Sequence, residues 1–556
     1  MNEIQVSELI VRFMRRLGIE CIFGMPGAHI LPVYDALYDS PVRSVLVKHE
    51  QGAAFMAGGY ARASGRIGAC ITTAGPGATN LVTGIANAYV DKLPILIITG
   101  ETSTHIFGKG GLQESSGEGG SIDQGRLFQG ITCYNKIVER TDYLANVLNR
   151  AARILLSDSP GPVLLSFPYN VQKEKVDAVL LDGVSTQRPR RPLSEAAPAI
   201  ETLADMLASA VSPVIVAGYG CIRAGAQPQV SRLSERLRIP VTTSLKAKGV
   251  IDERSPLSLG SLGVTSSDHA YHYIANHADL ILFLGAGFNE RTSYLWDDSL
   301  LAECRIVQVD HDTEQIEKVF SADLAIAGDI RDTLDALLAS LEARGLSRAP
   351  LEEALGEQRS RDGQQPGANP IFPSGFALVE HFFLCLEQHF PEELMVFDDN
   401  IIFAQNFFNV SATNRYFSNS GVSSLGHAIP AAIGARFTEK KPTFAILGDG
   451  GFQMCCMELM TAVNYEIPLN VVIFNNATMG LIRKNQHQHY GDRFIDCDFV
   501  NPDFAALARS FGIGFTHVER EQDIDALFAG DALHGGIHLV EIMIDKDAFP
   551  NYSSRR

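Results

Sequence analysis

Apolar residues recur along this chain with two alternating periods, and each change of period marks an element. Val6, Leu9, Ile10, Phe13 and Leu17 fall on one face of an N-terminal helix. Residues 45–47 are a short apolar strand leading to a helix of small residues that starts near Glu50. Residues 213–218, 280–285 and 305–310 predict three more strands. Farther on, 443–447 read as a strand ending in a glycine turn, and 469–474 as a second strand. Between them Phe452, Met454, Leu459, Met460 and Val463 recur at helical spacing. Such a strand–helix–strand unit brings both strand ends to one edge of a parallel sheet, where open α/β sheets bind ligands.

Strand and helix patterns alternate over three stretches of similar size: residues 1–180, 190–345 and 371–545. Polar segments around Lys173, Lys175, Arg188, Pro189 and Pro192, and again over 352–370, read as linkers. The chain from Ala548 onward reads as a loose tail. The predicted fold class is α/β, with three doubly wound parallel-sheet domains. No short repeat is visible, which excludes a solenoid.

The chain has 46 Lys and Arg against 64 Asp and Glu, a formal net charge of −18. No basic stripe offsets that charge, so no nucleic-acid partner is expected. Nine scattered cysteines without C-x-x-C spacing point to a reducing compartment, and Cys455 and Cys456 read as core rather than metal ligands. No signal peptide and no bilayer-length apolar run are visible, so the expectation is a soluble cytoplasmic protein with no membrane partner.

The chemistry is most legible at Gly448-Asp449-Gly450, followed twenty-four residues later by Asn475-Asn476. Asp449 offers an anionic oxygen and Asn476 a neutral one, a set that suits Mg2+ when phosphate oxygens complete its shell. The glycines let backbone N–H groups approach a diphosphate. An ordinary glycine-rich turn with a surface aspartate is the plainer alternative. The closure by Asn-Asn resembles the diphosphate-binding signature of thiamine diphosphate enzymes. That resemblance implies cofactor contacts from Gly448, Asp449, Gly450, Gly451, Asn476, Thr478 and Gly480, with Asp449, Asn476 and the Thr478 carbonyl on the metal.

Glu50, at the start of its small-residue helix beside Ala53, Ala54, Phe55 and Met56, would be partly desolvated, which favours a carboxyl group able to hold a proton. A surface glutamate capping that helix is the alternative. The segment from His49 to Ala54, with Gly59-Tyr-Ala-Arg-Ala-Ser-Gly65 after it, resembles the acetolactate synthase group. There the matching glutamate bonds the pyrimidine of the cofactor and promotes loss of its C2 proton. The loop from Phe23 to Pro32 is similar to that group's Gly/Pro loop, but Gly27-Ala28-His29 is similar to benzaldehyde lyase. The match makes His29 a substrate-facing acid or base, with Ala28 beside it; a satisfied loop histidine is the plainer alternative. Residues 72–80 resemble a supporting loop of the family, and Leu112-Gln113 a substrate-contacting segment. The glycine-rich stretch 115–125 is longer than the family pattern, and its two readings are a cover for the acceptor pocket or a surface insertion.

Residues 421–435 resemble the segment in which Leu425 wedges the cofactor into a V, with Ser423 C=O and Leu425 N–H holding its pyrimidine. Leu425 as plain core is the competitor. After Gly480 the match places Leu481 and Asn485 in the substrate pocket; Asn485 stands where biosynthetic relatives carry tryptophan, so this wall is polar. Lys484 and Gln486 are closer to sulfoacetaldehyde acetyltransferase, and His487, His489 and Tyr490 are entrance candidates on a loop. Residues 396–405 lack the family's Gly-Gln-His triplet, with Asn400 a substitute candidate. Residues 258–263 and 285–291 are similar to flavin-binding loops; Arg291 matches an arginine there and Gly287 replaces another. FAD therefore stays open.

The resemblance implies a thiamine diphosphate- and Mg2+-dependent carboligase of the acetolactate synthase type. It would join a decarboxylated 2-oxo acid, pyruvate first, to a second carbonyl. Glu50 would activate the cofactor, and His29 and Gln113 would serve the substrate. In this family the site forms between two subunits, which implies a homodimer or homotetramer. A 2-hydroxyketone lyase, an acetyl-phosphate-forming acetyltransferase and an inactive regulatory paralogue remain alternatives.

Overall fold

The computed structural model describes residues 3–187, 196–348 except 267, 295 and 303, and 371–552. The chain forms three six-stranded parallel sheets flanked by helices, as predicted. The first runs Arg43–Leu46, Cys21–Gly24, Gly68–Thr72, Ile95–Glu101, Val163–Pro168 and Tyr134–Ile137. The third runs Arg415–Ser418, Met395–Asp398, Thr443–Gly448, Leu469–Asn475, Ile537–Met543 and Gly514–Val518. Numbered within its own sheet, each has the order 2-1-3-4-6-5. The central sheet differs, with order 3-2-1-4-5-6 from Ser258–Ser261 through Val241–Thr243, Pro213–Ala217, Leu280–Leu284 and Arg305–Asp310 to Leu324–Ala327. In every sheet the order reverses beside the first strand, and the loops leaving that point face a crevice.

The outer two sheets are not independent bodies. A single apolar cluster contains Phe23, Tyr60 and Ile97 from the first stretch with Ile429, Phe452 and Ile473 from the third. The helix Glu50–Ser64 joins them. Almost every residue of it is buried, and it crosses Ala428–Arg436 closely. Gly59 makes the crossing possible, because a Cβ there would overlap the Ala431 carbonyl. The small-residue pattern around Glu50 is thus the signature of a helix pressed between two domains.

Several expectations are corrected. Lys175–Asp177 is an antiparallel partner of Glu3–Gln5 rather than linker. A three-residue edge strand with one apolar side chain leaves no periodic signal. Strands Val241–Thr243, Ser258–Ser261 and Leu324–Ala327 escaped for the same reason of length. The helix after Gly450 is two helices, Asp449–Cys455 and Leu459–Asn464, joined by a 3-10 turn. Met454 is exposed although its spacing assigned it to the core. Cys455 is buried and Cys456 half-buried, in keeping with a core role. His487, His489 and Tyr490 sit on the helix Gly480–Tyr490, not on a loop. The tail beyond Ala548 is docked: Asn551 N–H donates to Ile371 C=O at 2.6 Å and Tyr552 packs on the third core. The linker expected at 352–370, and the arginines at 188–191, lie outside the described residues. Among the described residues no helix is long and apolar enough to cross a membrane.

Candidate active site

Asp449 opens the helix Asp449–Cys455 at the carboxyl end of Thr443–Gly448 and is almost fully buried. Its Oδ2 accepts from Ala477 N–H and from the Asn501 amide, each at 2.7 Å, and its Oδ1 accepts from Gly450 N–H at 3.0 Å. Burial pushes this carboxyl upward, and those donors only ease it. A buried carboxylate with donors but no counter-charge is the ligand a divalent cation requires, and one lone pair on Oδ1 is still free.

The two asparagines divide their work. Asn475 turns inward, donating to Glu541 Oε1 at 2.6 Å and accepting from Asn501 at 2.8 Å. Asn476 faces the loop and accepts from Thr478 N–H at 3.3 Å. Thr478 is buried, its hydroxyl donating to Cys497 C=O at 2.9 Å, which fixes the backbone that follows Asn476. Glycine leaves room for neighbouring side chains at two positions. A Cβ on Gly480 would lie 2.7 Å from Asn476 Nδ2, and one on Gly451 would overlap Asp399 Oδ2. Gly448 and Gly450 complete the turn, both partly open. The donor set and the glycine cradle fit Mg2+ and a diphosphate.

Asp399 had no role in the sequence reading. It accepts from Gly426, His427 and Ala428 N–H and so anchors the start of Ala428–Arg436. Burial raises it to about 6, against those three donors. The turn it anchors carries Ser423, with φ +59°, and Leu425. Leu425 is half-buried and belongs to none of the core clusters of the described residues. Asn501, the link between Asp449 and Asn475, was also missed. Its only sequence signal is an Asn-Pro pair on a loop, which local pattern cannot join to a strand end fifty residues earlier.

Glu50 is buried at the N-terminus of its helix, and its Oε2 accepts from Asn80 Nδ2 at 2.9 Å. Asn80 closes the 72–80 loop, so that loop does more than support: it holds the carboxylate. Behind it, Glu458 accepts from Lys48 and His49 N–H and fixes the helix entry.

His29, Thr73 and Gln113 converge. His29 Nδ1 lies 3.3 Å from Gln113 Oε1, and Thr73 Oγ1 donates to the same oxygen at 3.4 Å. Gln113 has φ +56°, a left-handed backbone uncommon for a residue other than glycine. Ala28 and Leu112, each next to the pair in sequence, are exposed, and Leu481 and Asn485 are half-buried. The 115–125 loop is tethered by a Ser116–Asp123 bridge and by Glu114, which accepts from Gly108, Gly111 and Ser116. Asn400, with φ +66°, accepts from Arg291 at 3.4 Å.

A cleft of about 490 Å³ lies at the carboxyl edge of the central sheet, lined by residues of all three stretches, including Asp91, Lys246, Gly285, Arg291, Asp310 and Ser423. Lys92 and Lys246 are each tied to an acid in it, Asp312 and Asp91. The guanidinium of Arg291 meets the Asn400 amide instead.

Comparison with known proteins follows the same three-part order. The N-terminal thiamine pyrophosphate binding domain of thiamine pyrophosphate enzymes matches residues 4–119, the central domain 200–337 and the C-terminal thiamine pyrophosphate binding domain 400–542. The chain is a thiamine pyrophosphate enzyme. Within that family it is similar to acetolactate synthases. It is 33% identical to the probable acetolactate synthase large subunit of Methanocaldococcus jannaschii over 97% of this chain and 92% of that protein. It is 32% identical to the acetolactate synthase of Arthrospira platensis, over 97% and 94%. Against the acetolactate synthase isozyme 2 large subunit of Escherichia coli the identity is 30%, over 97% and 95%. As a thiamine pyrophosphate enzyme the chain carries its Asp449 loop in the third matched domain and Glu50 in the first.

Proposed function

We propose that this enzyme is a cytoplasmic, Mg2+-dependent carboligase. It decarboxylates a 2-oxo acid, pyruvate first, and adds the remaining two-carbon unit to a second carbonyl to give an acetohydroxy acid or 2-hydroxyketone. The observation that carries this reading is the pairing of a buried, cradled Asp449–Asn476 loop with a buried Glu50 in one chain that matches acetolactate synthases nearly end to end.

When bound, thiamine diphosphate supplies an acidic C2–H whose conjugate base attacks a carbonyl and stores the electron pair left by CO2. The protein's tasks are then local. Asp449, Asn476 and the Thr478 carbonyl would hold Mg2+, and Gly448, Gly450, Gly451 and Gly480 would admit the diphosphate. Ser423 and Leu425 would hold and bend the cofactor. Glu50, kept in place by Asn80, keeps a proton at the pyrimidine nitrogen. His29 and Gln113 bind the substrate carbonyl oxygen and move a proton to or from it, while Ala28, Leu112, Leu481 and Asn485 shape the acceptor side.

The carboxylate of Glu50 is held by Asn80. On the family resemblance a second copy supplies the 421–426 turn to it, and the proposed active unit is a homodimer or homotetramer. Exposed Leu112, Ile122, Met454 and Met457 are apolar surface for such a contact. FAD stays open: the central cleft would take it, with Arg291 the candidate for its diphosphate, and flavin absorbance in the purified protein tests this. The His29 loop also favours the reverse reaction, cleavage of a 2-hydroxyketone.

The deciding experiment gives the purified enzyme pyruvate, cofactor and Mg2+ with a panel of aldehydes and 2-oxo acids. CO2 release with new carbon–carbon products supports the reading. Release of acetyl phosphate in phosphate buffer, or no turnover at all, overturns it.

A further inference from the structure

The helices Ala377–His389 and Glu521–Ala529 cover the face of the third sheet turned away from the first domain. Strand residues alternate between faces. Val471 and Ile473 join the cluster that holds Phe23 and Tyr60, whereas Val472 and Phe474 join Phe382, Phe383 and Phe528 of these two helices. Where the helices meet, three side chains with no part in the proposed mechanism converge: His381, Cys385 and Asp525.

His381 and Cys385 are four residues apart on one helix, so their side chains share a face, and Asp525 reaches them from the other helix. His381 Nε2 lies 2.7 Å from Asp525 Oδ1, and Cys385 Sγ lies 3.7 Å from that nitrogen and 3.9 Å from that oxygen. An ion pair accounts for the first distance. It gives no reason for a buried sulfur within nearly equal reach of both partners. His389, one turn farther on, braces the thiol's own turn: its Nδ1–H donates to Cys385 C=O at 2.9 Å.

Imidazole, thiolate and carboxylate are together the donor set of a structural zinc ion. With bonds of about 2.0 Å to nitrogen and oxygen and about 2.3 Å to sulfur, a tetrahedral zinc separates sulfur from its neighbours by about 3.5 Å and nitrogen from oxygen by about 3.3 Å. Both sulfur edges of the triangle already lie within about 0.4 Å of that geometry. The nitrogen–oxygen edge is shorter because a hydrogen bond spans it. Asp525 is exposed, so its carboxylate is free to withdraw by about 0.6 Å as a metal replaces that bond.

We propose that His381, Cys385 and Asp525 form a Zn2+ site that clips Ala377–His389 to Glu521–Ala529, with water as the fourth ligand. On binding, the thiol releases its proton to solvent and the sulfur binds as thiolate. His381 binds through Nε2 and carries its proton on Nδ1, and Asp525 binds through Oδ1. Thiolate and imidazole select Zn2+ over Mg2+, which prefers oxygen, so the site does not compete with the Asp449 loop.

The test titrates Co2+ into reduced holoenzyme, saturated with thiamine diphosphate and Mg2+ and then freed of excess cofactor. Co2+ reports a thiolate ligand by a charge-transfer band in the near ultraviolet and a tetrahedral shell by intense visible bands. One Co2+ per chain with both signals is expected, and Zn2+ should displace it with a dissociation constant of about 1 µM or less. Cys385→Ser should lose the near-ultraviolet band. Asp525→Asn, a change at an exposed position, should weaken Zn2+ by about 10-fold or more, since losing even a group that only orients a ligand costs that much. Circular dichroism of the metal-free variants checks folding, and if Cys385→Ser does not fold, the affinity of Asp525→Asn decides. No charge-transfer band in wild type, a band that survives Cys385→Ser, failure of Zn2+ to displace Co2+, or unchanged affinity in Asp525→Asn would overturn the site. None of these readouts uses turnover, so a failure of the carboligase reading leaves the zinc site standing.

Discussion

His29 Nδ1 and Gln113 Oε1 stand 3.3 Å apart, although eighty-four residues separate them in the chain. The glutamine oxygen also accepts from Thr73, so at least one of its lone pairs is committed and the histidine ring has a fixed orientation. The main-chain carbonyl of His29 is held from behind by Gln172 Nε2 at 2.7 Å.

Replacing His29 by Ala should reduce turnover by about 10²-fold, the usual scale for loss of a positioned acid–base group. Gln113→Ala should act in the same direction and be less than additive with it, since the two share one hydrogen bond. Cofactor affinity should not change in either variant. Steady-state kinetics with calorimetry of cofactor binding checks both, and additive losses would separate the two roles.

Asp449→Ala should abolish Mg2+-dependent retention of thiamine diphosphate. Asn501→Ala should weaken it by about 10- to 100-fold, because it removes only the amide that orients the carboxylate. Calorimetric titration with and without Mg2+ decides this; an unchanged dissociation constant in Asp449→Ala would exclude the metal assignment.

Glu50→Gln should leave the cofactor bound but slow deuterium exchange at its C2 by about 10²-fold or more, together with turnover. Asn80→Ala should reproduce a fraction of that effect by freeing the carboxylate. Proton NMR of the bound cofactor in deuterated buffer reads the exchange directly.

Glu101 offers a test by pH. It is fully buried at the end of Ile95–Glu101, its Oε1 accepts from Thr102 and Ser115 N–H, and its Oε2 has no partner. Burial pushes the carboxyl up to about 7. A raised carboxyl means the folded chain keeps a proton that the unfolded chain releases from about pH 4.5 upward, so this group erodes stability as pH rises to about 7. Glu101→Gln should match wild type near pH 5 and exceed it by about 1–3 kcal/mol near pH 8. Denaturant unfolding at the two pH values checks the sign.

Asp91 should behave in the opposite sense. Burial would raise its carboxyl, but Arg62 and Lys246 hold it below the ordinary range. Through Arg62, which also donates to Ser418 C=O at 2.9 Å, the cluster ties all three domains. Asp91→Ala leaves two cations unpaired and should cost about 3–5 kcal/mol at neutral pH. The difference should vanish in acid, as pH falls through the lowered pKa and wild type loses the same interaction.

Fold and cofactor loops were legible because their requirements are local. Glycine spacing, a strand period and a carboxamide pair at a strand end are written within about thirty residues, and they identified the Asp449 and Glu50 segments. Three- and four-residue strands such as Val241–Thr243 and Ser258–Ser261 were not legible, since so short a run carries no period.

The sequence alone determined the α/β class, the three-part order and the residue types able to hold a diphosphate and a metal, because backbone conformation and side-chain chemistry act over short spans. Only the tertiary structure decided that Asn80 holds Glu50, that Asn501 braces Asp449, and that Lys484 lies buried against Tyr552. Those relationships join residues up to sixty-eight positions apart. They arise where separate loops leave one sheet edge and pack against one another, and that convergence depends on burial across the whole fold rather than on any local pattern.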